Sequence, residues 1–562
     1  MKRSYIIFRG FLILSLALTV VAQAASQYDR AMSFINDRNE VVFKTSYKDM
    51  EELNALAASF VIDKIDGRTL YMYADKESFP RFLELKKEYE VFEYVAEPED
   101  QVVGNPQDIV SYPADGSPYS FFEGMLEELE STYPDIIKLF VLGQSSTGLK
   151  IYGVKMSDDI TIDQGKPRFL GTGTMHGDEQ AGMHCILRLI EWLASNYKSD
   201  QTATDIIDNT ELYFIPLVNP SGSYPNGSFN RSYSVRRTPN CADINRSFPT
   251  PPAADQGPQY PSGDNERDVV MEWAEDKIFP ISMDLHTGMQ ACVCPWSSTK
   301  TSSKVHPDYN YYFKPYGNKI SNLCGHITVG WAAVQWYLGY GTIFDYMVSH
   351  ASSRDFCLEL TSQKKPSASS AEGTWNQFKE GYIYLIQQLQ YGIHGITLNE
   401  NKPVQAKISV DNHDKYDSHV YSTKDFGYFV RPIHAGTFDL TITYKNYTIK
   451  KAGVVVRENE KTDLGVIEMS GTPVKKNAYN AAEKALKIFS HDNTIYLQNG
   501  TEEKTIFTVY TLNGARGGSF SVNPHETYKV NKQNVSKVSG AGIYLIKAVN
   551  STASTAQRIV IR

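Results

Sequence analysis

Between Glu40 and Val95 the spacing of apolar positions switches repeatedly between the strand period and the helix period. EVVFKTSY alternates as a strand does, whereas Leu53, Leu56, Ala57 and Phe60 recur at helical spacing. Two further apolar runs, Val61 to Ile65 and Arg68 to Ala74, flank Asp66-Gly67, which signals a hairpin. A helical pattern about Ser78 to Lys87 and the strand YEVFEYV complete the order βαββαβ. From Ser120 to about Gly392 the alternation is coarser. Ser120 to Tyr133, Gln180 to Tyr197, Asn265 to Lys277 and Thr374 to Tyr391 read as helices. Ile151 to Met156, Arg168 to Thr174, Glu211 to Val218 and Phe279 to His286 read as buried strands. Strands that are apolar almost throughout, set between helices, predict an α/β domain whose mixed sheet is covered by helices on both faces. Beyond Gly395 the pattern turns to short alternating strands (AKISV, HVYST, YFVRPI, TFDLTITY, KKAGVVV, DLGVIEM), which predict a β-sandwich, and Asn493 to Arg562 again reads as strands.

The βαββαβ order is the ferredoxin-like α+β arrangement. Its place ahead of the larger domain resembles the propeptides of secreted peptidases. The expected organisation is a signal peptide at 1–24, a propeptide-like domain and linker at 25–105, a catalytic domain at 106–394, a β-sandwich at 395–470, a linker at 471–492 and a C-terminal β domain at 493–562. The signal peptide rests on a basic start (Lys2, Arg3, Arg9), an apolar run from Phe11 to Ala22 and the small-x-small triplet Ala22-Gln23-Ala24. Export to the cell surface or medium through the periplasm is therefore expected. No later stretch is long and apolar enough to span a membrane. Of the 562 residues 41% are apolar and 21% charged, and a net charge of −8 with no basic cluster argues against a nucleic-acid partner. The six cysteines, with no second closely spaced pair to complete a structural zinc site, read as disulfides or as small buried hydrophobes.

Candidate chemistry begins where the apolar run of FLGTGTMHGDEQAG stops at a His-Gly-Asp-Glu turn. His176 and Glu179 stand three residues apart at the passage from strand to helix, offering two of the three protein ligands of a catalytic zinc. A third ligand must come from elsewhere in the chain.

Downstream lie LVNPSG, VRRTPNCADINRSFP, MDLHTG ending in His286, WYLGYGTIFDY and FCLEL, in that order. Together these segments resemble the zinc metallocarboxypeptidase family, in the branch of carboxypeptidases E, N and D, over roughly Ser120 to Tyr391. The resemblance implies one Zn2+ per chain, held by His176, Glu179 and His286, with Asp243 hydrogen-bonded to His176. It implies that Asn245 and Arg246 bind the C-terminal carboxylate of a peptide and that Tyr337 closes over it. Arg236 would stabilise the oxyanion, with Arg237 the competing choice by adjacency, and Glu359 would be the general base. Ser221 and Cys294 depart from the family pattern without removing any of these groups.

Two positions bear on specificity. Where the E/N/D branch carries an Asp that pairs with a C-terminal Lys or Arg, this chain has Ser297; where the digestive branch sets its preference, it has Phe344. Apolar or aromatic C-terminal residues are therefore expected, unless Asp255, Asp264 or Glu266 reaches the pocket. The β-sandwich resembles the transthyretin-like domain of this branch, and the last segment resembles a type IX secretion sorting domain, which implies secretion machinery as a partner. The expected function is a secreted zinc exopeptidase acting on peptide and protein C-termini. The alternatives are an inactive surface peptide-binding protein and a cell-wall peptide carboxypeptidase.

Overall fold

The computed structural model describes residues 26–100, 108–240, 242–257, 259, 265–469, 486–491, 494–499, 504–511, 516–524, 526–530, 542–549 and 554–561. The expected signal peptide and the linker at 471–492 lie largely outside them. A helix over 26–38, α1, precedes the βαββαβ unit. That unit comprises β1 (Val41–Ser46), α2 (Met50–Ser59), β2 (Val61–Asp66), β3 (Thr69–Ala74), α3 (Ser78–Glu84) and β4 (Glu90–Phe92). Its strands form one antiparallel sheet in the order β2-β3-β1-β4. Asp49 caps α2 by accepting the Glu52 N–H at 2.9 Å, satisfying a donor that the first turn leaves without a partner. Phe43, Leu70, Met72, Phe79 and Phe82 form the core between this sheet and its helices.

The central domain is built on eight strands in the order β11-β10-β12-β9-β7-β8-β6-β5. They are β5 (Ile137–Gln144), β6 (Lys150–Met156), β7 (Arg168–Gly173), β8 (Glu211–Ile215), β9 (Ile281–His286), β10 (Ala291–Cys294), β11 (Thr328–Trp331) and β12 (Arg354–Glu359). Strands β12, β9, β7 and β8 run parallel, whereas β10 is antiparallel to β12 and β6 to β8, so the sheet is mixed. Side chains of α4 (Tyr119–Thr132), α5 (Ala181–Asn196), α6 (Gln201–Asn209), α9 (Lys314–Leu323) and α12 (Ala368–Gln387) join the core on one face. Those of α8 (Asn265–Lys277) and α11 (Ile343–Ser349) join the core on the other, and the short helices α7 (Pro220–Ser223) and α10 (Ala332–Gln335) lie in the loops. Coverage of both faces explains why β7, β8 and β9 are buried at every position. Helix α12 starts six residues earlier than its apolar spacing suggests, because Ser367 caps it by accepting the Ser370 N–H.

Beyond α12 the chain forms two facing four-stranded sheets. One joins β13 (Gly392–Asn399), β14 (Lys402–Pro403), β17 (Tyr428–Arg431) and β20 (Lys461–Glu468). The other joins β15 (Lys407–Val410), β16 (Val420–Tyr421), β18 (Gly436–Tyr444) and β19 (Tyr447–Val456). Ile393, Phe429 and Ile467 from the first meet Ile408, Leu440 and Ile442 from the second in a common core. A buried ionic cluster fastens this sandwich to the central domain. Asp308 accepts from Arg354 Nε at 2.8 Å and lies 3.1 Å from Arg431 Nη1 and 2.7 Å from His413 Nε2. The two guanidiniums outweigh burial and hold the Asp308 carboxyl well below the usual range. The last strands, β21 to β27, lie between Leu486 and Ile561 in two further sheets around Leu497, Phe507, Val509 and Ile546.

Candidate active site

Three neighbouring parallel strands end together, and each end carries a candidate residue. Strand β7 stops at Gly173, and the turn that follows delivers His176 and Glu179 before α5 begins at Ala181. Gly177 lets this turn pass against α7, since a Cβ there would lie 2.4 Å from the Gly222 carbonyl carbon. Strand β9 ends at His286 and β12 at Glu359, and the two residues are partners in the parallel register. Carboxyl ends of parallel strands in an α/β sheet are where ligands are ordinarily held.

Glu179 Oε1 lies 3.0 Å from His176 Nδ1, and Glu179 Oε2 lies 2.9 Å from His286 Nδ1. The ligand atoms of all three side chains lie within 4.8 Å of one another and are buried. The outer nitrogens are already engaged. His176 Nε2 is 3.2 Å from Asp243 Oδ1, and His286 Nε2 is 2.9 Å from Asp284 Oδ2. Carboxylates at both outer positions direct both Nδ1 atoms inward, which is the donor set and the supporting contact a zinc ion requires. Burial alone would depress His286, but its hydrogen bonds to Asp284 and Glu179 carry its pKa up to about 10. Lys364 and His176 likewise outweigh burial and hold Glu179 well below the ordinary carboxylate range.

Glu359 lines the same cleft as these three side chains. Among the described residues its Oε2 has no hydrogen-bond partner. Burial, reinforced by the nearby Glu179 carboxylate, pushes its pKa up to about 8. A carboxyl tuned toward neutrality and left unpartnered in a cleft is suited to moving protons.

The structure brings every other expected residue to this cleft, some by direct lining and Asp243 from behind. Arg236 Nε donates to Asp243 Oδ2 at 2.8 Å, and its Nη1 lies 3.5 Å from Glu179 Oε1. Arg237 points away, pairing with Asp75 Oδ2 at 2.8 Å. Asn245 accepts the Ile343 N–H through Oδ1, leaving its Nδ2 3.0 Å from His286 Nε2. Arg246 Nη2 reaches the Tyr337 hydroxyl at 3.5 Å. Phe344, Val293, Ala332, Trp336 and Cys357 make one end of the cleft apolar. Ser297 lies there too, but its hydroxyl and N–H donate to Asp345, a carboxylate also satisfied by Ser298. Asp255 is occupied by Thr299, Thr301 and the Lys300 N–H, and Glu266 by Ser146 and Ser221; neither lines the cleft. Asp264 lies outside the described residues.

Four residues of the site escaped the sequence reading. Asp284 had a signal, since in MDLH it shares a strand face with His286. Asp178, Lys364 and Asp63 had none, because each reads as an ordinary surface charge. Five cysteines, 185, 292, 294, 324 and 357, are buried free thiols, and Cys241 lies outside the described residues.

Residues 122–381 match the family model described as zinc carboxypeptidase. Among curated proteins the chain is 27% identical over 311 residues to carboxypeptidase SOL1 of Arabidopsis thaliana, a match covering 51% of this chain and 59% of that protein. It is 27% identical over 382 residues to carboxypeptidase D of Homo sapiens, covering 63% of this chain and 26% of the human protein. The chain thus spans less than two thirds of the length of either relative. Among solved structures, carboxypeptidase A from Helicoverpa armigera aligns with a TM-score of 0.46 at 15% identity, over 62% of this chain and 97% of that one. The match across residues 122–381 covers β7, β9 and β12 and the side chains they present, so the segment that carries the candidate site is similar to the zinc carboxypeptidase family.

Proposed function

We propose that the protein is a secreted zinc-dependent carboxypeptidase that removes single residues from the C-termini of peptides and proteins. The observation that carries this reading is the convergence of His176, Glu179 and His286 at 4.8 Å or less, opposite the unpartnered Oε2 of Glu359. Zinc held by those three side chains would supply Lewis acidity, polarising the scissile carbonyl and making water a better nucleophile at neutral pH. Asn245 and Arg246 would take the terminal carboxylate, the guanidinium offering the paired N–H geometry that a carboxylate accepts. Tyr337 would close over it. Glu359 would accept the proton of the attacking water and deliver it to the departing amine, while Arg236 steadies the negative charge gained by the carbonyl oxygen.

An apolar cleft end walled by Phe344, Val293, Ala332 and Trp336 supports a preference for apolar or aromatic C-terminal residues. Among the described residues a Lys or Arg side chain buried there would find no carboxylate on that wall, since Asp345 lies behind it and already accepts from the N–H and hydroxyl groups of Ser297 and Ser298.

The N-terminal domain, expected at 25–105, covers this cleft. Tyr337 donates to the Ile62 carbonyl at 2.7 Å, and Asp63 reaches Arg236. We read it as a domain that keeps the chain latent until it leaves. The catalytic domain at 106–394, the sandwich at 395–470 and the β domain at 493–562 remain proposed divisions. The last is read as the part addressed by secretion machinery, after passage through the periplasm directed by residues 1–24. Deleting 493–562 and fractionating the cells tests that role, and unchanged surface localisation would return the segment to plain accessory status. Hydrolysis of C-terminally varied peptides by the purified protein, with and without a zinc chelator, tests the activity. Release of single C-terminal residues that stops on chelation is expected, and chelator-independent or absent hydrolysis after removal of the N-terminal domain would overturn the reading.

A further inference from the structure

One side chain of the N-terminal domain, Asp63, lines the cleft together with the candidate zinc ligands. Asp63 Oδ1 lies 3.3 Å from Arg236 Nη1 and 2.7 Å from Lys364 Nζ. The same two cations lie 3.5 Å and 3.0 Å from Glu179 Oε1. An anionic oxygen is therefore gripped from two sides, next to a candidate zinc ligand and in the cleft that Glu359 lines. Lys364 follows Glu359 by five residues on the segment leaving β12. Its side chain is fully buried, with Asp178 Oδ2 at 3.5 Å and the Tyr73 hydroxyl at 3.2 Å as its other neighbours. Asp63 and Tyr73 belong to the N-terminal domain and would depart with it. Asp178 and Glu179 would stay and hold the ammonium where it now meets Asp63 Oδ1. A lysine head has three N–H donors, so two can serve those carboxylates while one remains for a ligand.

We propose that Lys364 is a catalytic residue of the carboxypeptidase reaction, acting with Arg236 as a second donor to the scissile carbonyl oxygen at the position that Asp63 Oδ1 marks. The proposal rests on the peptidase reading above. When the water oxygen bonds to the carbonyl carbon, the π electrons move onto the carbonyl oxygen and the water proton passes to Glu359. When the C–N bond breaks, that electron pair re-forms the carbonyl and Glu359 protonates the amine. Lys364 keeps its proton throughout. Its contribution grows as the oxygen gains charge, so it favours the transition state over the bound substrate. Burial of the ammonium is offset by Asp178 and Glu179, which are placed before substrate arrives, so no reorganisation is needed during the reaction.

The test compares the wild-type chain with Lys364→Met and Lys364→Arg, all zinc-loaded and freed of the N-terminal domain by proteolysis where the chain is latent. Zinc content, kcat and KM on a peptide ending in Phe, and inhibition by a phosphonate tripeptide, whose tetrahedral anion resembles the transition state, are read together. Lys364→Met is expected to keep about one zinc and a KM within about threefold. Its kcat is expected to fall by roughly 10- to 100-fold, below the roughly 10²- to 10³-fold usual for a lost oxyanion donor because Arg236 remains, with phosphonate affinity weakened by a similar factor. Lys364→Arg is expected to recover much of both. Should the Met variant fail to fold, Lys364→Gln takes its place with the same expectations. Unchanged kcat and phosphonate affinity would overturn the proposal, as would loss of zinc that accounts for the lost activity, since Lys364 would then only position Glu179. A wild-type chain that binds neither zinc nor phosphonate would instead overturn the peptidase reading itself.

Discussion

Asp63 and Arg236, separated by 173 residues in sequence, meet at 3.3 Å with both side chains only 4% exposed. The N-terminal domain thus places a buried carboxylate against the cation proposed to stabilise the oxyanion. Breaking a buried pair on one side typically costs about 3–5 kcal/mol. Asp63→Asn should therefore loosen the hold of the N-terminal domain, and the full-length variant should hydrolyse peptides at least about tenfold faster than the full-length wild type. Equal rates in the two proteins would show that Asp63 does not keep the chain latent.

A second contact makes that hold dependent on pH. Glu40 accepts the Arg236 and Arg237 N–H groups at 2.9 and 3.2 Å, yet burial and the facing Asp178 carboxylate raise its pKa to about 7. In the released domain it should return to the ordinary value of 4.5. The docked state therefore binds the proton more tightly, so the contribution of Glu40 to docking is complete below pH 4.5 and is lost as pH rises through about 7. The loss is at most about 3 kcal/mol, at about 1.36 kcal/mol per pKa unit. Asp75, held low by Arg237, titrates below this window and acts in the opposite sense. Proteolytic release of the N-terminal domain should be faster at pH 8 than at pH 5, and Glu40→Gln should flatten the dependence. Release that slows with rising pH in the wild type would contradict it.

His176→Ala and His286→Ala should each reduce zinc from about one equivalent to a small fraction, with activity lost in parallel, because each removes one of three protein donors. Metal analysis of the purified variants decides this. Full zinc occupancy in His286→Ala would exclude it as a ligand.

Glu359→Gln changes charge and basicity but hardly changes shape. It should retain zinc and peptide binding while kcat falls by roughly 10²- to 10⁴-fold, the usual range for losing a general base. Near-normal turnover would assign proton transfer to another group.

Matched peptides ending in Phe, Leu, Lys and Arg test the pocket. Burying an apolar side chain against Phe344 and Trp336 is favourable by roughly 25 cal/mol per Å², whereas a cation there meets no carboxylate among the described residues of that wall. The kcat/KM values should rank Phe and Leu above Lys and Arg. A tenfold advantage for the basic peptides would refute this.

By itself the sequence determined the elements and the local half of the site. Apolar runs without alternation marked β7, β8 and β9 as strands buried on both faces, and a polar turn at the end of one of them placed His176 and Glu179 together. Period and turn chemistry are local properties, so they can be read from neighbouring residues. The family resemblance extended that reading to His286, Glu359 and the residues between, whose meeting no local pattern encodes. Tertiary structure decided the rest. Pairing of β9 with β12 in parallel register aligns His286 with Glu359, and packing of β9 beside β7 brings Glu179, 107 residues earlier, to His286. Strand order is set by how the whole sheet buries its two faces, and no single segment carries that information. The charges of Asp63 and Lys364 were the least legible. In VIDKID and SQKKPS they stand where solvent-facing residues stand, and only the docking of one domain on the other turns them into a buried ion pair beside Glu179.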